Sequence, residues 1–163
     1  METAAGRVES INISRGGVPK TAVFEGLITE QGLDGDRQRN LRVHGGPDRA
    51  VSLYSLDMIR ALQREGHPIG VGTAGENLTL SGVAWSRVVP GSEFEIGEVR
   101  LLITAFASPC ESIVGSFLGG DFTRISHKRH AGWSRVYARV LSGGIVAIGD
   151  PVNLILQRSM ITR

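Results

Sequence analysis

The single cysteine of this 163-residue chain, Cys110, is the side chain best suited to nucleophilic or metal-binding chemistry. A lone cysteine has no partner for an internal disulfide, so it is either a small core residue or a thiol kept for its chemistry. Pro109, just before it, marks the end of a predicted strand over 99–105, because proline cannot donate to a sheet ladder. Residues 110–118 are predicted to form a short helix, and a helix N-terminus favours the thiolate.

A glycine pair beside a histidine is the second candidate. In the run His44-Gly45-Gly46, the two glycines let the backbone approach a ligand closely, and successive N–H groups there can bind an anion. Asp36 and Asp48 flank this run. The alternative is a hairpin turn with a solvated charged loop, and His44 has no second histidine nearby with which to bind a metal.

The third candidate lies in a glycine-containing turn at residues 72–75. Glu76 and Asn77 follow that turn and precede a predicted strand, so they are placed to hydrogen-bond a heterocyclic ligand. The alternative is a structural turn between a helix and a strand, where asparagine is common. Trp133 is either a wall of a cleft or a core aromatic residue.

Composition narrows the class of protein. A net charge of +2 does not imply nucleic-acid binding, and the densest basic stretch, 127–130, is short and lacks interleaved aromatic residues. No apolar run approaches the roughly 20 residues of a membrane helix, and the N-terminus does not resemble a secretion signal. We therefore expect a single cytoplasmic domain over residues 1–163, with no nucleic-acid or membrane partner. Phosphate-loop, Cys-x-x-Cys, His-Glu-x-x-His and Gly-x-Ser-x-Gly motifs are absent.

Many short strands separated by glycine-rich turns must position these residues. The pattern predicts a mainly β fold, a closed or nearly closed β-barrel with a few short helices. Ser55 is predicted to cap a helix that ends at Glu65. The predicted strands are 8–14 and 20–24, 49–54, 78–80, a hairpin of 94–96 with 99–104, a second hairpin of 137–141 with 145–148, and 151–156.

In order along the chain, several short motifs together resemble the MOSC domain family, named after the C-terminal domain of molybdenum cofactor sulfurases. They are Gly35-Asp36, His44-Gly45-Gly46 with Ala50-Val51, Gly75-Glu76-Asn77, Ser108-Pro109-Cys110, and Ala138-Arg139-Val140-Leu141 with Gly149-Asp150. The resemblance extends from about Gly6 to Leu156, a core of 6–156. It implies a β-barrel like the small barrel domain of pyruvate kinase, in a stand-alone bacterial member of the family.

The resemblance also implies a cofactor and a site. Cys110 would be the protein ligand to molybdenum held by a pterin dithiolene, the molybdenum cofactor (molybdopterin). Ser108 and Pro109 would line the site. The pterin and its phosphate would be bound or shaped by the remaining motif residues: Asp36, His44, Gly45, Gly46, Asp48, Glu76 and Asn77. Pyridoxal phosphate is not predicted, because the aminotransferase-like domain of the fused sulfurases does not occur in this sequence.

Three functional hypotheses stay open at this point. The first is an oxidoreductase that reduces a small N-hydroxylated substrate, with electrons from a separate reductase. The second is a sulfur carrier or cofactor-delivery module that uses a Cys110 persulfide together with a sulfurase or delivery protein. The third is a barrel in which Cys110 is structural and its thiol resists alkylation.

Overall fold

A computed structural model describes residues 6–14, 18–36 and 46–157. Within them the chain is mainly β, with one α-helix, α1 (Leu56–Arg64). Short 3-10 helical turns lie at Pro47–Arg49, Trp85–Arg87, Glu111–Ser116, Leu118–Gly120 and Phe122–Ile125. The strands are β1 (Gly6–Ile13), β2 (Thr21–Val23), β3 (Glu25–Thr29), β4 (Gly32–Leu33), β5 (Val51–Ser55), β6 (Leu78–Ser81), β7 (Glu93–Ile96), β8 (Val99–Phe106), β9 (Val136–Ser142), β10 (Gly144–Ala147) and β11 (Pro151–Ile155).

Seven of the strands close into a barrel, in the order β1, β11, β7, β8, β9, β5, β6 and back to β1. The pair β5–β6 is parallel and the other pairs of the ring are antiparallel. The ring closes where Gly6 pairs with Val152. Its interior is filled by fully buried side chains such as Leu53, Phe94 and Leu101. The predicted closed β-barrel is therefore confirmed.

A three-stranded sheet of β10, β3 and β4 lies beside the barrel, and it corrects one sequence prediction. The expected hairpin between 137–141 and 145–148 is wrong, since β9 pairs with β8 and β5, whereas β10 pairs with β3. Gly143 connects β9 to β10, and a Cβ there would collide with the carbonyl oxygen of Ile28. Because Gly143 packs closely against β3, the chain leaves the barrel at this point and β10 pairs with β3. The local sequence Ser142-Gly143-Gly144 alone is typical of a hairpin turn.

The helix predicted after β5 is confirmed, whereas the helix predicted after Cys110 is a different type of helix in the structure. Ser55 caps α1 by accepting a hydrogen bond from the Met58 amide at 3.2 Å. The predicted helix over 110–118 is instead a 3-10 turn, Glu111–Ser116, because Gly115 and the β-branched residues before it favour an α-helix poorly. None of the helices described is long and apolar enough to cross a membrane.

Candidate functional site

Cys110 lies on the loop that leaves β8, at one end of the barrel. We name residues 107–110 the Cys110 turn. The thiol is half-buried, and its Sγ lies 2.9 Å from the hydroxyl of Ser112. The Ile113 amide donates to the Cys110 carbonyl at 3.1 Å, which starts the following 3-10 turn. Ser108 is exposed, so part of the Cys110 turn faces solvent.

Arg135 joins the Cys110 turn to a second predicted motif. Its side chain precedes β9 and the residue is only 8% exposed. Nη1 donates to the carbonyl of Ala74 at 2.7 Å, and Nη2 donates to the carbonyl of Ser108 at 3.3 Å. The Ala107 amide donates back to the Arg135 carbonyl at 2.8 Å. The Cys110 turn and residues 70–75, here called the glycine turn, are therefore neighbours, which the sequence left open.

A second bridge fixes the chain after Cys110 onto the same region. The Ser116 hydroxyl donates to Thr73 Oγ1 at 3.0 Å. Two residues later, the Leu118 amide donates to Nδ1 of His67 at 3.0 Å. Segments on both sides of Cys110 are thus attached to the region around the glycine turn.

Glu76 is completely buried behind the glycine turn. Its Oε2 accepts hydrogen bonds from the Gly72 amide at 3.1 Å and from Thr79 Oγ1 at 2.9 Å. Its Oε1 has no hydrogen-bond partner among the described residues. Burial raises the pKa of Glu76, because a carboxylate loses its hydration inside the barrel. The side chain thus holds the turn in place, and its predicted contact with a pterin stays a prediction.

Asn77 and Asp36 form one buried network. Asn77 Oδ1 accepts from the Ser52 amide at 3.0 Å, and Asn77 Nδ2 donates to Asp36 Oδ2 at 3.0 Å and to the Asn12 carbonyl at 3.3 Å. The other carboxylate oxygen of Asp36 lies 2.6 Å from Lys20 Nζ. Sequence reasoning placed both residues near a ligand, and the structure brings them together through protein partners.

The histidine–glycine candidate is described only in part. His44 and Gly45 lie outside the described residues. Gly46 has φ 94°, a left-handed conformation suited to glycine. Asp48 is exposed and pairs with Arg139 on β9 at 2.7 Å, while Thr104 of β8 donates to the Asp48 carbonyl. This short segment is therefore fixed to the outer side of β8 and β9.

A basic segment, residues 127–130, flanks the end of β8. The ring of His127 stacks on Phe106 with 3.6 Å between ring centroids and 6° between planes. Its Nδ1 is buried and has no hydrogen-bond partner in the part of the chain that the structure describes. Trp133, further along, is half-buried under the Arg124 guanidinium, 4.0 Å from the ring centroid. Its carbonyl accepts from the Tyr54 hydroxyl at 2.7 Å. Trp133 is thus tied to the core rather than free in a cleft.

In the described ranges no group of three or more His, Cys, Asp or Glu side chains could hold a metal ion. A metal held by several protein ligands is therefore not built from these residues. A metal that already carries sulfur ligands from a cofactor needs only one further soft donor, and a thiolate is such a donor.

Arg135 is the residue of this region that sequence reasoning did not single out. It stands at the head of the run Val136-Tyr137-Ala138, all of which is buried. A charged residue next to a continuous buried run is an unusual placement, since buried arginines are normally paired. That signal was available in the sequence, but its partners, Ala74 and Ser108, are distant in the chain.

Comparison with known proteins relates this architecture to a family. The family model for the MOSC domain matches residues 40–153. Protein YiiM of Escherichia coli is 32% identical over 141 residues, 83% of this chain and 62% of YiiM. The uncharacterized protein YflK of Bacillus subtilis is 27% identical over 165 residues, 91% of this chain and 72% of YflK.

Solved structures agree with these relatives. The crystal structure of YiiM from Escherichia coli superimposes with a TM-score of 0.66 at 25% identity and covers 94% of this chain and 69% of that one. The YUAD protein of Bacillus subtilis, at 18% identity, shares the fold with a TM-score of 0.73 and covers 94% and 97%. The chain spans less than two thirds of the length of YiiM, 62%. From the family match and the relatives, the chain belongs to the MOSC domain family.

Proposed function

We propose that this protein is a molybdenum-cofactor-dependent oxidoreductase that reduces small N-hydroxylated compounds, with Cys110 as the protein ligand to the metal. The observation that carries the proposal is the convergence of two motif loops. Arg135 donates to Ala74 in the glycine turn and to Ser108 in the Cys110 turn. A half-buried thiol beside a glycine-containing loop supports the proposal, because a soft thiolate suits a metal that is already bound by sulfur.

The residues present fit such a cofactor through their donor chemistry. Cys110 supplies the single soft ligand, and its Sγ is only half-buried. Ser108, Pro109 and the glycine turn would line the cofactor, and the orphaned Nε of the buried Arg135 adds an unused donor at the same place. The effect of Glu76, Asn77 and Asp36 on the cofactor would be indirect. Their side chains hold the loops in place by hydrogen bonds to protein atoms.

When bound, the cofactor would supply the two-electron redox centre. The N–O bond of the substrate would break with uptake of two electrons and two protons, giving the amine and water. The electrons would come from a separate donor protein. The chain would orient the reacting groups through the Cys110 turn, and the Ser112 hydroxyl, 2.9 Å from Sγ, would fix the rotamer of the thiol.

The test is metal and pterin analysis of protein expressed in cells that make the molybdenum cofactor. Wild type, Cys110→Ala and the control Ser142→Ala are compared, since Ser142 is exposed at the far end of β9. We expect near-stoichiometric molybdenum and pterin in wild type and control. Cys110→Ala should lose most of the molybdenum and all reduction of an N-hydroxylated amidine.

Two outcomes would contradict the proposal. A Cys110→Ala protein that keeps its molybdenum and its activity removes Cys110 from the mechanism. Wild type without molybdenum or pterin refutes the enzyme and favours the sulfur-carrier alternative. That alternative is checked by mass spectrometry after incubation with a cysteine desulfurase, as a gain of one sulfur atom on Cys110 that reductant removes.

A further inference from the structure

The guanidinium of Arg135 has no ion-pair partner within the described part of the chain. The residue is 8% exposed, and its hydrogen bonds go to two neutral backbone carbonyls, Ala74 and Ser108. Across residues 6–14, 18–36 and 46–157, no ion pair involves this guanidinium. A buried cation is normally paired with an anion, because removal from water costs several kcal/mol per ion.

The buried carboxyl group of Glu76 compensates this charge poorly. Glu76 interacts electrostatically with Arg135, but they form no hydrogen bond, and burial raises the pKa of Glu76 toward the neutral form. Within residues 6–14, 18–36 and 46–157, neither Oε1 of Glu76 nor Nε of Arg135 has a hydrogen-bond partner. The two groups therefore do not satisfy each other.

One edge of the Arg135 guanidinium is under-used, and it faces the Cys110 turn. Nε and Nη2 form the fork that binds carboxylate or phosphate oxygens in parallel. Nη2 makes only a long bond of 3.3 Å to the Ser108 carbonyl, and Nε makes none. An arginine edge in this state is suited to receive an anionic group that enters beside Ser108.

Charges on the surrounding elements mostly have the same sign. Lys128, Arg129 and His130 are exposed on the basic segment that His127 fixes against Phe106, next to the Cys110 turn. The exception is Glu111, an exposed residue of opposite charge that directly follows Cys110 in the chain. Arg135 is the buried charge of the set, so salt screens it least.

We propose that the Cys110 turn and Arg135 form a binding site for an anionic group, a carboxylate or phosphate, whose charge completes the missing ion pair of Arg135. The molecule that reaches Cys110 then carries an anionic group, so an N-hydroxylated amidine that bears a carboxylate should be a better substrate than the neutral amidine. As a statement about the substrate class it rests on the proposed function. The anion site itself requires no molybdenum.

Alkylation of Cys110, the only thiol, measures the attraction of an anion to this site in the unmodified protein. Iodoacetate and iodoacetamide react by the same step, in which the thiolate forms a carbon–sulfur bond and iodide leaves, but only iodoacetate is anionic. The ratio of their rate constants cancels the thiolate fraction and the accessibility of Sγ. The reference is the same protein unfolded in urea.

The expected ratio follows from the geometry. Ser108 and Cys110 are two residues apart, so Sγ lies within about 10 Å of the guanidinium. One unit charge at that distance changes the relative rate of an anion about fourfold at an effective dielectric constant near 40. We therefore expect the iodoacetate preference of the folded protein to exceed that of the unfolded chain about fourfold in 10 mM salt. It should shrink toward that of the unfolded chain in 1 M salt.

Variants of Arg135 distinguish an effect of its positive charge from an effect on the structure of the Cys110 turn. Arg135→Lys keeps the charge and should keep most of the preference, whereas Arg135→Gln should abolish it. Glu111→Gln should raise it. The control Arg100→Gln, a surface residue paired with Glu93 at the other end of β8, should not change it. Inorganic phosphate at millimolar concentration should slow alkylation of wild type and leave Arg135→Gln unaffected.

Equal ratios in the folded and unfolded wild type would overturn the proposal without any variant. So would an Arg135→Gln protein in which both rates change by one common factor, because that is the signature of a purely structural residue. Protein that takes up no molybdenum in cells that make the cofactor, but shows the preference, would support the anion site while refuting the proposed enzyme. The sources are distinguished in cofactor-free protein. Slowing of alkylation by acetate as well as by inorganic phosphate assigns the site to a substrate carboxylate, and slowing by phosphate alone assigns it to the phosphate of the cofactor.

Discussion

Replacing the buried Glu76 by glutamine should stabilise the protein more as the pH rises. Burial raises the pKa of Glu76 above its ordinary value of 4.5. Below that value the group is protonated in both the folded and the unfolded chain, so the folded state carries no penalty. As the pH rises, the unfolded chain ionises first, and the stability of the folded state falls until the folded pKa is passed.

The size of the effect follows from the contacts. Each pKa unit of the shift corresponds to about 1.4 kcal/mol of stability lost at alkaline pH. Glutamine keeps an oxygen to accept from Gly72 and Thr79, so Glu76→Gln should match wild type near pH 4.5 and exceed it at pH 9. Alanine instead leaves two buried donors without an acceptor, at about 1–3 kcal/mol each at any pH.

The assay is urea denaturation of wild type, Glu76→Gln and Glu76→Ala at four pH values between 4.5 and 9. The difference between the glutamine variant and wild type isolates Glu76, because all other titrating groups are shared. If that difference stayed constant over this range, the pKa of Glu76 would be the same in the folded and the unfolded chain. Burial would then not raise the pKa of Glu76, and the predicted stabilisation by glutamine would be refuted.

Two further predictions concern stability. Ser55→Ala removes the acceptor for the Met58 amide and should lower the free energy of unfolding by about 1 kcal/mol; an unchanged urea midpoint would show that the cap contributes nothing. Gly32→Ala should cost more than about 2 kcal/mol, since φ is 116° and a Cβ would collide with the Ala50 carbonyl. The matched Gly97→Ala, with φ 59° and open space around it, should cost about 1 kcal/mol, so equal losses would contradict the steric reason.

Turn residues and hydrophobic patterns in the sequence predicted those strands and helices that contact segments close to them in the chain. The hairpin of β7 and β8 is confirmed because Gly97 supplies the turn between two strands that pair directly. The hairpin expected around Gly143 is wrong because its turn residues fit two outcomes, and a contact with Ile28 far away in the chain decides between them. Sequence periodicity contains no information about that contact.

In the candidate site, too, the sequence predicted the individual motifs but not the contacts between motifs that are distant in the chain. The motif residues were found because their types are chemically distinctive, and Cys110 does lie at a strand end beside solvent. Which motifs meet was not predictable, since the link is Arg135, which joins Ala74 to Ser108 across the fold. Whether Asp36, Glu76 and Asn77 contact a ligand stays a prediction, because their side-chain hydrogen bonds go to protein groups.

The closure of the barrel between β1 and β11 sets the order in which the protein can fold. Gly6 pairs with Val152, so this contact forms only after nearly all the intervening chain has been made and arranged. Until then the sheet is open, and the Gly6–Arg7 end of β1 and the facing end of β11 are unpaired edges, which can join the same edges of another molecule. Contacts of such long range slow folding. We therefore expect refolding yield to fall with protein concentration, through dimers that exchange β11.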